Sequence, residues 1–205
     1  KFRGEEFLRQ FWNEKELQTT IVVAPDFPNK YVTKEGASWS DRPALWASMG
    51  VLGYLSQEYN LAFDQFFLDG YGDGAVEMWK IASYYADTYA GFIVRGTLPP
   101  DEIRLEDFRN NAFFLIGIPG AEMTPTKADA LGAKMKALGI DVTVANLSEA
   151  PRSRKEKEAF EPIVPALVTF LQKKRPRYPE QLDWSVKAGY TRRNFHVTSV
   201  LEVED

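Results

Sequence analysis

The chain has 205 residues, of which 44% are apolar and 26% charged, and its formal net charge is −4. This composition is typical of a folded domain with a hydrophobic core, and it excludes a disordered chain. No apolar run approaches the roughly 18 residues that a membrane-spanning helix needs, and the negative charge gives no overall attraction to nucleic acid. The absence of cysteine excludes disulfides, thiolate zinc sites and thiol nucleophiles, and leaves the cellular compartment open.

The chain begins with Lys1 rather than methionine. Its first residues do not resemble a signal peptide, because the apolar residues between Phe7 and Trp12 are spaced as one face of a helix. We therefore expect the sequence to be the interior of a longer protein, with an upstream region missing.

Five short apolar runs, each bounded by turn residues, predict β-strands. The first four are apolar throughout, as in strands that are buried on both faces of a parallel sheet. The fifth alternates apolar and polar residues, which predicts a position nearer the edge of the sheet. In chain order the runs are Thr20–Ala24, Gln65–Leu68, Gly91–Val94, Ala112–Ile116 and Ile140–Val144.

Segments of helical periodicity lie between these runs. Thr124 followed by Pro125 resembles an N-cap and a first helical residue, and Gly139 is placed to end that helix. Alternating strands and helices predict right-handed crossovers and therefore an α/β fold with a mostly parallel sheet flanked by helices. The apolar stripes run over Leu45–Leu55, Ala75–Tyr85, Leu131–Leu138 and Ile163–Leu171.

The C-terminal tail departs from this pattern. Leu182–Val186 and Phe195–Leu201 each alternate apolar and polar residues, and Gly189–Arg192 would join them, so the tail is predicted to be a β-hairpin. We divide the chain into a domain of residues 1–175, lacking upstream strands, and a hairpin tail of residues 176–205.

A hairpin is marginally stable alone, so this tail is expected to pack on the domain or on a partner. Trp184 is its predicted anchor and a candidate binding residue. The basic run Lys173–Arg177 in front of it is interpreted as a solvated linker rather than as a nucleic-acid contact.

The most informative stretch is a glycine-rich turn between a predicted strand and a predicted helix. Gly70, Gly72 and Ala75 satisfy the G-x-G-x-x-A pattern of dinucleotide sites, in which a pyrophosphate lies at a helix N-terminus. The acidic residue expected after the next strand is absent, and Arg95 stands there instead. Because an arginine at that place can meet a 2′-phosphate, an NADP-binding domain remains an alternative.

The same turn fits the nucleophile elbow, G-x-S-x-G, in which a strained turn lifts a nucleophile above the sheet. Gly70 and Gly74 occupy the two glycine positions, and Gly72 stands where the serine should be. The element order agrees with this alignment, since Leu45–Leu55 predicts an amphipathic helix ahead of the elbow.

With this order, the chain resembles the α/β-hydrolase superfamily from about Thr20 to Lys173, in particular small bacterial esterase-like proteins. The resemblance implies an α/β-hydrolase-like fold, with the hairpin as a C-terminal extension. It also implies that Asn111–Gly117 is the strand that delivers the triad acid, and that the next helix and strand lead to the triad histidine.

The groups that triad chemistry requires are missing. Gly72 has no side chain, only Glu122 stands near the acid position, and Ala145–Arg152 contains no histidine where the base should follow. The one histidine, His196, lies about fifty residues too late and is interpreted as a strand residue. We therefore expect a catalytically inactive domain without a cofactor, acting in protein binding or assembly as part of a larger protein.

A second class of function, an esterase-like hydrolase that uses carboxylates, stays open. Asp73 stands next to the elbow apex, where an aspartyl-ester mechanism could use it, although a carboxylate in the first turn of a helix is also favoured by the helix dipole. No metal site is predicted, because the acidic residues expected near the sheet edge lack ligand spacing and a histidine partner. They are Asp26, Asp69, Asp73, Glu122 and Glu149.

Aromatic residues flank the predicted loops at the carboxyl ends of the strands. Phe27 and Trp39 follow the first run and Tyr71 lies on the elbow, so these residues are candidates to line a ligand pocket or a protein interface. They are equally suited to closing the top of the core. The expected partner is a protein or an adjacent domain of the same polypeptide, and a homo-oligomer stays open.

Overall fold

The structure is a computed structural model that describes residues 20–23, 42–151, 156–175, 192–194 and 197–199. None of the helices in these ranges is both long and apolar enough to cross a membrane. In chain order the elements are α1 (Arg42–Glu58), β1 (Phe67–Tyr71), α2 (Asp73–Tyr85), β2 (Gly91–Arg95), β3 (Ala112–Gly117), α3 (Pro125–Ala137), β4 (Asp141–Asn146), α4 (Glu156–Phe160), α5 (Val164–Leu171), β5 (Arg192–Asn194) and β6 (Val197–Ser199).

The first four strands form one parallel sheet in the order β1-β2-β3-β4. The strands start level with one another, since Phe67 lies opposite Gly91, Gly91 opposite Ala112, and Ala112 opposite Asp141. The carboxyl ends of the four strands therefore lie side by side at the same end of the sheet. The predicted parallel α/β fold is confirmed, and β4 lies at an edge of the sheet formed by the described strands, as its alternating sequence indicated.

Each face of the sheet carries its own apolar cluster. Phe113 and Leu115 of β3 point to the face covered by α2 and α3, whereas Phe114 and Ile116 point to the face covered by α4 and α5. All six residues of β3 are buried. An uninterrupted apolar run is therefore what this strand needs, because successive side chains enter opposite clusters.

The ends of α3 follow the signals in the sequence. Thr124 caps the helix, since its hydroxyl oxygen accepts a hydrogen bond from the Lys127 N–H at 3.5 Å, and Pro125 is the first helical residue. Gly139 follows the helix with a φ of 80°, a conformation that favours glycine. These predictions are confirmed.

The strand predicted at Thr20–Ala24 is wrong for the four residues that are described. Residues 20–23 form no regular structure, and Ile21 and Val23 are 44% and 43% exposed. A β-branched run becomes a strand only when a neighbouring strand supplies main-chain hydrogen bonds, and in the described part of the chain none pairs with this segment.

The tail contains an antiparallel pair, but not with the predicted boundaries. Arg192 lies opposite Ser199, so β5 begins at a residue that was assigned to the connection. The register depends on main-chain bonds, which the polar residues of β5 supply as well as apolar ones do. Leu182–Val186 lies outside the described residues.

The basic run after α5 is held against the domain. The ammonium group of Lys173 bonds to the Asp141 carboxylate, that of Lys174 lies 3.4 Å from the Asp64 carboxylate, and the Arg175 N–H donates to the Asp64 carbonyl at 2.9 Å. These contacts tie the end of α5 to the segment before β1 and to β4. Residues 176 and 177 of the basic run lie outside the described residues.

Candidate functional site

The glycine-rich turn joins β1 to α2 through one residue. Gly72 lies between the last residue of β1 and the first of α2, with φ 55° and ψ −128°. This backbone conformation strongly favours glycine. A Cβ at Gly72 would have no atom beyond its chain neighbours within 4 Å. The predicted tight strand-to-helix turn with Gly72 at its apex is confirmed, and space is open where a nucleophile would project.

The other two glycines of the turn differ from the apex. A Cβ at Gly70 would lie 2.6 Å from the Cα of Ala75, which is fully buried, so Gly70 allows β1 and α2 to approach closely. A Cβ at Gly74 would meet nothing within 4 Å, and Gly74 is exposed on the first turn of α2. Packing therefore requires glycine at position 70, backbone conformation favours it at 72, and neither requires it at 74.

A buried ion pair lies beneath the apex. The Arg95 Nε and Nη2 atoms donate to the two carboxylate oxygens of Asp69 at 2.9 and 2.7 Å. The Arg95 side chain is 2% exposed and that of Asp69 is 13% exposed. Burial raises the pKa of Asp69, and the charge and hydrogen bonds of Arg95 oppose that rise.

This pair joins the ends of neighbouring strands directly below the elbow. Arg95 lies opposite Tyr71 in the register of β1 and β2, and its guanidinium carbon is 5.3 Å from the centre of the Tyr71 ring. From the sequence pattern, Arg95 was predicted only as a possible ligand of a phosphate. The signal for the pairing was present, because Asp69 and Arg95 are the charged residues of two otherwise apolar neighbouring strands.

The loop after β2 contacts both the apex and the loop after β3. The Thr97 hydroxyl, which is buried, donates to the Gly72 carbonyl at 3.2 Å. The Met123 N–H donates to the Gly96 carbonyl at 2.9 Å, which connects the loop after β3 to the loop after β2. Thr97 was missed by the sequence analysis, and no local pattern marks a loop threonine for this role.

In the described residues, the segments after β3 and β4, which would supply a triad acid and base, place no such group at the elbow. Glu122 and Glu149 are exposed, and within the described residues no hydrogen bond joins either of them to the turn. Asn146, at the carboxyl end of β4, donates to the Asp129 carboxylate at 3.0 Å and so is engaged with α3. His196 lies outside the described residues. In the described ranges no three acidic or histidine side chains are grouped as a metal site.

Two of the five predicted binding residues lie together at the elbow. Tyr71 is 38% exposed, and Asp73 is exposed as the first residue of α2, where the helix dipole favours a carboxylate. Phe27, Trp39 and Trp184 lie outside the described residues, as does Asp26.

Comparisons with known proteins give structural matches only. No protein-family model matches the sequence, and no curated protein matches it. A thermostable esterase is 16% identical with a TM-score of 0.50, over 66% of this chain and 37% of the esterase. SOBER1 of Arabidopsis thaliana is 16% identical with a TM-score of 0.49, over 79% of this chain and 91% of its own. A Bacillus cereus carboxylesterase is 15% identical with a TM-score of 0.40, over 59% and 61%.

The chain thus spans 37% of the length of the thermostable esterase. At this identity the likeness concerns the fold. It agrees with the parallel sheet described above, and it confirms the α/β-hydrolase-like architecture predicted from the sequence.

Proposed function

We propose that this chain, which has the fold of esterase-like α/β hydrolases, is a catalytically inactive domain that acts in protein binding or assembly as part of a larger protein. The observation that carries the proposal is the apex. Gly72 has the strained conformation of an elbow, with φ 55° and ψ −128°, but has no side chain to attack a substrate. The shape of the elbow is kept while its nucleophile is absent.

The lack of a base supports the same conclusion. A serine or threonine nucleophile depends on a neighbouring base to take its proton. The chain has one histidine, His196, and residues 145–152, which follow the strand that would lead to the base, contain none. At least two of the three members of a triad, the nucleophile and the base, are therefore missing.

The contacts beneath the apex support a binding role. The Asp69–Arg95 pair and the Thr97 hydroxyl hold the turn in place, although no nucleophile is positioned by it. The half-exposed Tyr71 ring and the open space above Gly72 leave a surface on which a partner can pack. We propose that this partner is a protein or an adjacent domain of the same polypeptide.

The purified chain is expected to hydrolyse p-nitrophenyl acetate no faster than buffer and to take up no fluorophosphonate probe. Gly72→Ser should fold, because the added side chain has room and the backbone strain at φ 55° and ψ −128° costs about 1–3 kcal/mol. It should remain inactive, because no base is placed to accept the proton. Release of p-nitrophenol and mass spectrometry of the probe-treated protein measure these outcomes.

Gly74→Ser is the matched control, since it adds the same side chain two residues away where space is also open. Turnover by Gly72→Ser that Gly74→Ser lacks would show that a base faces the apex. Labelling of a serine in the native protein would show that the elbow lies elsewhere. Labelling or turnover by the native chain overturns the proposal of catalytic inactivity, whereas turnover confined to Gly72→Ser overturns only the expectation that no base faces the apex.

The carboxylate alternative finds less support. A covalent mechanism needs its nucleophile at the apex, whereas Asp73 is one residue beyond it and belongs to α2. Its exposed position in the first helical turn is accounted for by the helix dipole.

The NADP alternative is opposed by the surroundings of Arg95. Its guanidinium is buried and bonded to Asp69, so it does not face a cofactor phosphate. The described strands also follow one another in sequence across the sheet, without the reversal of order beside which dinucleotides bind. Addition of NADPH is expected to leave the melting temperature unchanged in a thermal-shift assay, and a saturable rise would revive this alternative.

A further inference from the structure

The four residues that follow α5, Gln172–Arg175, lie along the segment just before β1. The Gln65 side-chain amide donates to the Gln172 carbonyl at 3.4 Å. Further along, the Arg175 N–H donates to the Asp64 carbonyl at 2.9 Å. The two segments therefore run in opposite directions, and we call residues 172–175 the strap.

Two ion pairs attach the strap to opposite sides of the described sheet. The Lys173 ammonium group bonds to the carboxylate of Asp141, the first residue of β4, whereas the Lys174 Nζ lies 3.4 Å from the carboxylate of Asp64, ahead of β1. Strands β1 and β4 are the outer strands of the described sheet, and all four strands start level. The strap therefore lies across the amino ends of the strands, at the end of the sheet opposite the elbow.

Both ion pairs are open to solvent. The side chains of Lys173 and Asp141 are 28% and 60% exposed, and those of Lys174 and Asp64 are 64% and 44% exposed. Exposed ion pairs are individually weak, and salt screens them, since the Debye length falls from about 10 Å at 0.1 M to about 3 Å at 1 M. Within the described residues, the bond from the Arg175 N–H is the one main-chain hydrogen bond that joins the strap to the segment before β1. The attachment of the strap therefore depends largely on charges that salt weakens.

The helix ahead of the strap is fixed in a different way. Phe170 of α5 is 1% exposed, and its ring centre lies 5.4 Å from that of Phe67 and 5.4 Å from that of Phe114. Burial of apolar rings does not depend on attraction between charges, so salt does not loosen this packing. An opening of the strap therefore ends at α5 and leaves the two apolar clusters of the domain intact.

We propose that residues 172–175 are an ionic strap, which is closed at low ionic strength and is released by salt while the domain stays folded. The chain continues from Arg175 into the tail, so the state of the strap decides whether the start of the tail is held at the amino end of the sheet. This inference concerns contacts within the chain and does not rest on the proposed function.

Amide exchange of the full chain, measured by NMR at low and at high NaCl concentration, tests the strap. The Arg175 amide is the reporter, because it donates across to Asp64. Relative to its intrinsic rate, its exchange should become roughly fivefold faster or more when NaCl is raised from about 0.05 M to about 1 M. The Leu147 amide, which donates to the Gly117 carbonyl at 2.9 Å, is the internal control and should keep its rate.

Removing the two lysine charges should have the same effect as salt. In the double variant Lys173→Gln with Lys174→Gln, the Arg175 amide should exchange fast at low salt and should no longer respond to added salt. The matched control is Lys134→Gln with Lys136→Gln, which changes the net charge equally at exposed positions of α3. This control should keep the slow exchange and the salt response of the native chain.

Three results would overturn the proposal. The first is an Arg175 amide in the native chain that is unprotected at low salt or does not respond to salt. The second is equal acceleration of the Arg175 and Leu147 amides by salt, because the whole domain would then be opening. The third is the same loss of protection in both double variants. None of these results bears on catalytic inactivity, which the ester-hydrolysis assay tests separately.

Discussion

Replacing Asp69 with asparagine is expected to destabilise the fold by about 3–5 kcal/mol and to lower Tm by on the order of 10 °C. Arg95 would keep its charge, because a guanidinium does not lose its proton in proteins, and its side chain is 2% exposed. Without the carboxylate, a buried positive charge would be left with no opposite charge on its bidentate partner. Urea unfolding of the variant and the native chain measures the loss.

Removing both charges should restore most of that stability. Burial raises the pKa of Asp69 and Arg95 opposes that rise, and replacing a buried ion pair by apolar side chains of similar size is often neutral or stabilising. Asp69→Leu combined with Arg95→Met is therefore expected to be near neutral or stabilising. The exposed Glu122→Gln serves as the control for loss of a carboxylate and should change little. If Asp69→Asn lowered the free energy of unfolding no more than Glu122→Gln, the stabilising role of the buried Asp69–Arg95 ion pair would be contradicted.

Replacing Gly70 with alanine should destabilise the fold by about 1–3 kcal/mol although it adds only one methyl group. That methyl would lie 2.6 Å from the Ala75 Cα, so the backbone of β1 or α2 must move. Movement there also displaces Gly72, whose carbonyl accepts the hydrogen bond from Thr97. Chemical denaturation measures the change in the free energy of unfolding, provided that the variant and the native chain have the same m-value.

Gly74→Ala is the matched control in the same turn. Its methyl would have open space, and alanine is a better helix former than glycine, so the variant should be neutral or more stable by up to about 1 kcal/mol. Gly72→Ala should cost about 1–3 kcal/mol for the backbone strain at φ 55° and ψ −128°. If Gly74→Ala cost as much stability as Gly70→Ala, the close approach of β1 and α2 would not explain why position 70 requires glycine.

The local patterns of the sequence predicted much of the described fold. The apolar runs at β2 and β3 are strands because both of their faces are buried, and this requirement is visible as uninterrupted apolar sequence. Thr124, Pro125 and Gly139 mark helix ends through their own backbone and capping chemistry. The elbow was predicted for the same reason, since Gly72 has a conformation that favours glycine.

The errors have a common physical origin in pairing. Thr20–Val23 has the composition of a strand, but composition does not specify a neighbour, and the described segment has none. In the tail, Val197–Ser199 pairs with Arg192–Asn194 because main-chain hydrogen bonds set the register. Side-chain alternation by itself could not identify that partner.

The sequence by itself determined the order of β1 to β4 with the helices between them, and the absence of a nucleophile at Gly72, because these depend on residue type and on neighbours along the chain. Only the tertiary structure decided what Arg95 does. Its charge is equally compatible with a phosphate and with a carboxylate, and the register of β1 and β2 places Asp69 within hydrogen-bond distance.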